Sequence, residues 1–389
     1  MNATSAAGPL DGVRVVELGS SLAGPFAALI LAQLGAEVIK VEPPHGGDAT
    51  RSWGAATVNG TTAAYETFNR GKKSVVVNYR DADAVASLRR FVAAGTDVVM
   101  QNLRPGTATS FGLDAAMLRA DNPDLIYCNL GAFGDRGPMR ELPGYDPLMQ
   151  AFGGIIDTTG KADTPSRVGV SLIDLSTGMW GAIGVLSLLF RRANGAGGGV
   201  VDGSLFESSL IWMSLNFGTL QSSGAVPGRG GLRGPLIAPN GGFNASDGIV
   251  MLVVGTNQQF CAMCEAIDRP ELVNDPRFAD NSARRDNHDA LDEAINAAIA
   301  HAPRAYWVER LNARNVPCAP IHTLSEAASH PQTEAVEMVQ THPETGFSVF
   351  GIPLRLDGMR PAYDQAAPAL GADNALLDDT TGRYGAASG

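Results

Sequence analysis

Through its first 130 residues the chain alternates short, β-branched apolar runs with segments of helical composition, and few folds accommodate that pattern. Val13–Leu18 is the first run, and Pro25–Leu34 follows with a proline where a first helical turn tolerates one. Glu37–Val41, Ser74–Asn78, Asp97–Met100 and Leu125–Leu130 repeat the apolar pattern, with Ala82–Ala94 reading as a helix between the second and third of these. Such alternation predicts a parallel, doubly wound α/β sheet of Rossmann-like type.

Beyond this region the periodicity predicts a helix over Asp174–Phe190, a strand over Val200–Ser204 and a long apolar helix over Leu205–Leu220. The Gly- and Pro-rich stretch Gly224–Gly242 reads as a linker or mobile loop. A second region starts with a strand at Ile249–Val254 and continues through helices such as Leu291–Ala300; strand-like material returns at Phe347–Leu356. The expected division is residues 1–222, 223–325 and 326–389. No internal repeat is present.

Charge narrows the partners. With 29 basic against 40 acidic residues the net charge is −11, which argues against nucleic acid as the main partner. The first 110 residues carry ten basic and nine acidic side chains, so an anionic ligand is expected there. Met1–Pro9 lacks the charged start and apolar stretch of a secretory signal. The most apolar segments, Met179–Phe190 and Phe26–Leu34, fall short of the roughly 20 residues that span a bilayer. The expectation is a cytoplasmic protein without a membrane partner. Four cysteines are too few for a disulfide framework, and Cys261 and Cys264 read as residues of an amphipathic helix, since no second pair or nearby His completes a zinc site.

Several chemistries drop out on motif grounds. Gly19–Gly24 sits at the first strand-to-helix turn but lacks the G-x-G-x-x-G dinucleotide pattern, and Pro25 stands where a phosphate loop needs Lys. There is no G-x-S-x-G elbow, H-E-x-x-H pair or calcium loop, and the six His are scattered. Neither a metal nor a nucleotide redox cofactor is expected.

Two basic segments remain. Asn69-Arg-Gly-Lys-Lys73 uses two of only four lysines in the chain, and Asn102-Leu-Arg-Pro-Gly106 follows the fourth strand. Loops at strand ends in open α/β sheets line the ligand crevice, so both point to a phosphate-bearing ligand, although a solvated turn explains the lysines equally well. Asp174, between an apolar segment and a helix, reads either as a helix N-cap or as a carboxylate nucleophile kept ionised by the helix dipole.

Taken in order, these segments resemble the class III CoA-transferases, the group containing formyl-CoA transferase and carnitine CoA-transferase. The resemblance is carried by Pro9–Leu18, Ala23-Gly-Pro25, Leu34–Glu42, Phe68–Ser74, Asn102–Gly106, Gly144-Tyr-Asp146, Gln150–Gly154, the Val168–Gly178 segment and Ala367–Gly371. It implies a large α/β domain built from both chain ends, a smaller middle α+β domain and an interlocked homodimer. It implies that Asp174 is the nucleophile, that the partners are an acyl-CoA and a free carboxylic acid, and that coenzyme A is the cofactor-like substrate. By position, contacts to CoA fall on Leu22, Ala23, Val77, Asn78, Tyr79, Arg80, Asn102, Leu103, Arg104 and Tyr145. Lys72 and Lys73 join them on electrostatic grounds. Gly241, Gly242, Arg229 and Arg233 are the candidate acyl-pocket residues, Arg suiting the distal charge of a dicarboxylate. The chain departs from formyl-CoA transferase in having Leu22 for a Gln, Pro43 and Ser110 for Arg, and no run of four glycines, which disfavours formyl and oxalate substrates.

Two rival readings differ in class. An acyl-CoA racemase of the same superfamily needs a His where this chain has Tyr145, and a neutral Tyr is a poor base near pH 7. A non-catalytic subunit of a heteromeric transferase has no need of Asp174.

Overall fold

The computed structural model describes residues 8–54, 60–226 and 228–378. Most of the N-terminal tail and the Gly/Ala tail at the other end lie outside the described residues. Five strands lie among the described residues up to 131: β1 (Arg14–Glu17), β2 (Glu37–Glu42), β3 (Lys73–Val76), β4 (Val98–Gln101) and β5 (Ile126–Gly131). A short hairpin, β6 (Gly160–Lys161) and β7 (Thr164–Pro165), precedes β8 (Gly199–Ser204). β3-β2-β1-β4-β5-β8 form one sheet in that order, every neighbouring pair parallel.

Both faces of this sheet are buried, which is why its strands carry apolar side chains on successive residues. On one face Val15, Val38, Val98, Ile126 and Cys128 pack against Ala27, Ala28 and Leu31 of the Ala23–Gln33 helix and Ala182 and Val185 of the Leu172–Ala193 helix. On the other, Val16, Ile39, Val75, Val99 and Tyr127 meet Leu88, Phe91 and Val92 of the Ala82–Ala93 helix. The Leu172–Ala193 helix is longer than the sequence pattern suggested. At 22 residues, with an 18-residue window of mean hydropathy 1.6, it has the length and composition of a membrane span. Its Ile173, Thr177, Gly178, Gly181, Ala182 and Val185 are nevertheless buried within this unit, as in a core helix.

Two compact units account for the chain. The first comprises Met1–Ile155, Val168–Leu215 and Pro331–Gly389; the second comprises Ile156–Arg167 and Asn216–His330. The middle unit therefore takes in a segment, 156–167, that the sequence assigned to the first region. In the first unit the returning C-terminal segment covers the open edge of β3. Ser74 N–H donates to Asp373 Oδ2 at 2.8 Å, Asp373 N–H to Ser74 O at 2.9 Å, and Val76 N–H to Asn374 Oδ1 at 2.7 Å. These bonds satisfy an edge that would otherwise recruit another strand.

The middle unit holds an antiparallel sheet ordered β11-β10-β9, from β9 (Asn240–Ala245), β10 (Gly248–Val253) and β11 (Cys318–Pro320). Phe243, Val250, Leu252, Phe260, Met263, Leu291, Ile295, Ile299, Trp307 and Leu311 form its core. Cys264 is buried there on the Asn257–Ala266 helix, and Cys261 is half-buried on the same helix. A last hairpin, β12 (Val339–Thr341) and β13 (Ser348–Phe350), belongs to the first unit and is shorter than the expected strand at 347–356.

The expected continuous helix over 205–220 is two, Leu205–Trp212 and Ser214–Ser223. At the break the Ser214 hydroxyl donates to Ile211 O, offering that carbonyl a partner other than the helix ladder.

Candidate active site

Strand order reverses between β1 and β4, so the loops that follow them, from Leu18 and from Asn102, flank the crevice where open α/β sheets take ligands. The turn after β1 is pinned at almost every residue. Asn102 binds both sides of Ser20: Ser20 N–H donates to Asn102 Oδ1, and Asn102 Nδ2 donates to Ser20 O, each at 2.8 Å. Gly19 and Gly24 make room for this carboxamide, since a Cβ on either would stand 3.0 or 3.1 Å from it. Asp48 accepts from Ser21 N–H at 3.2 Å and holds Ser21 at a φ of 68°, a region that costs an L-residue about 1 kcal/mol or more.

Beneath the turn lies a buried ionic cluster. Lys40 Nζ contacts Glu17 at 2.8 Å, Asp48 at 2.7 Å and the carbonyl of Gly19 at 3.0 Å. Lys72 Nζ contacts the other Glu17 oxygen at 2.7 Å, and Pro25 O and Asn69 Oδ1 at 2.9 Å each. Burial works against both charges. For Lys40 the Glu17 and Asp48 carboxylates outweigh it and raise the pKa, whereas Lys72 is pushed down to about 8, Glu17 offsetting burial only in part and Lys40 adding repulsion.

This cluster corrects the reading of the 69–73 loop. Lys72 has no exposed ammonium to offer a phosphate, because all its donors are spent inside the fold. Lys73 is half-exposed but bonded to Glu37 at 2.7 Å, which, with Arg14, holds the Glu37 carboxyl down at about 2 despite partial burial. Arg70 is buried, donating to the carbonyls of Thr67 and Phe350 beneath Tyr363. Of the cations that the sequence reading assigned to CoA, Arg80 and Arg104 face solvent at the strand ends. Both are exposed, and neither guanidinium has an acceptor among the described residues.

The other positions carried over by resemblance divide by exposure. Ala23 is buried at the start of the Ala23–Gln33 helix and Leu22, its N-cap, is half-buried and supplies no side-chain cap. Val77 has its side chain in the core, leaving only its backbone for a ligand, while Asn78 is exposed and Tyr79 stacks on Phe111 at 5.1 Å. The Tyr79 hydroxyl is buried with no hydrogen-bond partner among the described residues. The Asn102 side chain belongs to the turn rather than to a ligand, and Leu103 N–H is taken by Gln101 Oε1 at 2.7 Å. Arg104 lines a cavity of about 360 Å³ with Gln101, Asn129, Arg140 and Asp202.

Asp174 is the third residue of the Leu172–Ala193 helix, and Ser171 is the N-cap, which corrects the capping reading. The cap bonds come from a different element. Asp146, buried at the start of the Asp146–Phe152 helix, accepts at Oδ2 from Ile173 N–H at 2.6 Å and Asp174 N–H at 3.1 Å. Its Oδ1 accepts from Gln150 Nε2 at 2.6 Å, and Gln150 Oε1 accepts from Val168 N–H at 2.9 Å.

The Asp174 carboxyl itself has no hydrogen-bond partner among the described residues. Burial first, and the Asp146 carboxylate second, push its pKa up to about 7. The expected stabilisation of its charge by the helix dipole is therefore overridden. Gly178, one turn further on, lets this helix close on the first: a Cβ there would lie 2.8 Å from Ala23 O and 3.1 Å from Ala27 N. That contact brings the Asp174 end of the helix beside the pinned turn. Tyr145, before Asp146, is 60% exposed.

The candidate acyl-pocket residues lie in the middle unit. Gly241 and Gly242 are in β9, opposite Leu252 and Met251, and a Cβ on Gly242 would run into Leu232 and Ile249. Arg229 donates to Asp157 and to the carbonyls of Asp157, Lys161 and Ala162; Arg233 is bonded to Asp289 and Asp292. Both guanidiniums are occupied, so an incoming carboxylate would have to displace existing bonds. These ties also fasten the glycine-rich stretch to its own unit, which speaks against the mobile-loop reading of it.

The switch-point crevice, the pinned first turn and the half-buried Asp174 carboxyl beside it form one candidate site. The family model described as CoA-transferase family III matches residues 10–374, and the chain belongs to that family. It is 37% identical over 374 residues, 95% of each chain, to an acetyl-CoA:oxalate CoA-transferase of Acetobacter aceti. It is 36% identical to a succinyl-CoA–D-citramalate CoA-transferase of Chloroflexus aurantiacus, over 94% of this chain and 92% of that protein. A CAIB/BAIF family protein from Brucella suis superposes with a TM-score of 0.87 at 35% identity, over 96% of this chain and 99% of that one. A Mycobacterium tuberculosis protein superposes with a TM-score of 0.85 at 29% identity, over 95% and 99%. The chain is thus a transferase.

The sequence alone marked neither Asp146 nor Gln150, nor the part the Asn102 side chain plays in holding the first turn. Asp146 and Gln150 were visible only inside family motifs. Beyond their bond to each other, their partners at Val168, Ile173 and Asp174 are 18 to 28 residues away, and nothing local marks such a pairing.

Proposed function

We propose that this protein moves CoA from an acyl-CoA thioester to a free carboxylic acid, with Asp174 as the nucleophile. The observation that carries the reading is the Asp174 carboxyl itself, half-buried, without a hydrogen-bond partner among the described residues and poised to titrate near neutrality beside the ligand crevice. A carboxylate with its lone pairs free of hydrogen bonds and a raised pKa is a stronger nucleophile than a solvated one.

The steps conserve thioester energy. Asp174 attacks the acyl carbonyl, the C–S bond breaks, and an acyl-aspartyl anhydride and CoA thiolate result. The thiolate then attacks the aspartyl carbonyl, expelling the donor acid and leaving an aspartyl-CoA thioester. An acceptor carboxylate reverses both steps, and no ATP is consumed. Developing oxyanions need fixed donors, a role suited to the backbone of Leu22 and Ala23, where the turn is held rigid by Asn102, Asp48 and Lys40. Arg80 and Arg104 suit the CoA phosphates.

The relatives' names point to small carboxylic acids: oxalate, D-citramalate and, in a mouse protein 33% identical to this chain, glutarate. A relative named for oxalate keeps that acid among the candidates to be tried. A homodimer fits the apolar surface of the first unit, where Trp180, Ile183 and Phe190 on one helix and Ile211 and Trp212 on another stand exposed.

The test is transfer itself. Purified protein is given acetyl-CoA or succinyl-CoA with oxalate, glutarate or citramalate, and new CoA thioesters are read by chromatography. Exchange that is lost in Asp174→Asn supports the reading; full exchange in that variant overturns it.

A further inference from the structure

An aspartate in the first turn of a helix ordinarily folds back onto the free N–H groups there and has its pKa lowered by them. Asp174 does not, because those donors are already taken. The Asp146 carboxylate reaches in from another helix, accepts from Ile173 N–H and Asp174 N–H, and is held on its far side by Gln150, which also straps Val168. The Ser171 hydroxyl, in the local capping position, makes no cap bond.

We propose that Asp146 is a positioning residue for Asp174: by filling the donors at the start of the Leu172–Ala193 helix, it denies them to the Asp174 carboxyl and leaves that carboxyl free to attack. This rests on the reading of Asp174 as the nucleophile. Asp146 also bears on Asp174 as a like charge. Among the described residues the other elements packed near this end bring none: Ala23, Phe26 and Ala27 meet the helix at Gly178, Ser208 bonds Thr177, and Trp212 bonds Ser176. When Asp174 becomes an anhydride or thioester its charge vanishes, and the repulsion vanishes with it. Asp146 thereby raises the free carboxylate relative to the covalent intermediate, a bias toward acylation.

The experiment is the pH profile of kcat/KM for CoA transfer in wild type, Asp146→Asn and Gln150→Met, each with hydroxylamine trapping of the acyl-enzyme and peptide mass analysis. Asp146→Asn keeps an oxygen for the two N–H groups but removes the charge, so the acid limb moves down by about half a pH unit or more. Gln150→Met loosens the strap and keeps the charge, so its limb does not move down while its rate falls. If the Asn variant fails to fold, Asp146→Ser, neutral and a good cap, takes its place. A trapped label on Asp174 with an unmoved limb in the neutral variant overturns the role of Asp146 and leaves the nucleophile standing. Transfer activity without a label on Asp174 overturns both.

Discussion

Replacing Asp174 by Asn should stabilise the folded protein, and by an amount that depends on pH in one direction. The Asp174 pKa rises from 3.8 to about 7 on folding. An acid whose folded pKa is raised holds its proton more tightly when folded, so stability is full below the unfolded pKa and declines as pH climbs toward the folded one. Each unit is worth about 1.4 kcal/mol, so the charged Asp174 costs up to about 4 kcal/mol above pH 8 and about 2 kcal/mol at pH 5.5. Asn carries no such cost. The advantage of Asp174→Asn over wild type should therefore grow by about 2 kcal/mol between pH 5.5 and pH 8, a difference of about 2–4 °C in melting midpoint for a chain of this size. Differential scanning fluorimetry of both proteins at the two pH values reads it. An advantage that is constant with pH, or that shrinks as pH rises, would refute the claim that Asp174 is held in an environment hostile to its charge. The expected pattern is that of an active-site group kept at the expense of stability.

The two lysines of the 69–73 loop should behave differently. Lys72→Met leaves the buried Glu17 short of a partner and should cost about 3–5 kcal/mol in denaturant titration, whereas Lys73→Ala, removing a half-exposed pair with Glu37, should cost less than about 1 kcal/mol and leave CoA affinity unchanged. Arg80→Ala and Arg104→Ala should each weaken CoA binding by about tenfold and flatten its salt dependence, as isothermal titration at two ionic strengths would show. Gly178→Val pushes a side chain against Ala23 O and Ala27 N and should cost about 1–3 kcal/mol in thermal or chemical denaturation, with transfer activity falling as the Asp174 end is driven from the turn.

What the sequence made legible was mostly local. Apolar runs separated by helical segments were enough for the parallel sheet, and β1, β2 and β5 lie within a residue or so of where periodicity put them. The order β3-β2-β1-β4-β5-β8 was not visible, since strand adjacency is settled by packing between distant segments. Charge was the least transparent signal. Asn69–Lys73 looks like a phosphate loop until its partners appear, and those partners, Glu17, Glu37 and Phe350, lie 36 to 280 residues away. The sequence pointed to an Asp174 kept ionised by its helix dipole, whereas burial and the Asp146 carboxylate push its pKa up; a helix dipole can be reasoned from the chain and the intrusion of Asp146 from another helix cannot.

The account stands most directly on which atom carries the acyl group. Wild-type protein incubated with a competent acyl-CoA and hydroxylamine, then digested and weighed peptide by peptide, should yield a hydroxamate on Asp174 that depends on the acyl-CoA and is absent without it. A label on another residue, or sustained transfer with Asp174 unmodified, would contradict it.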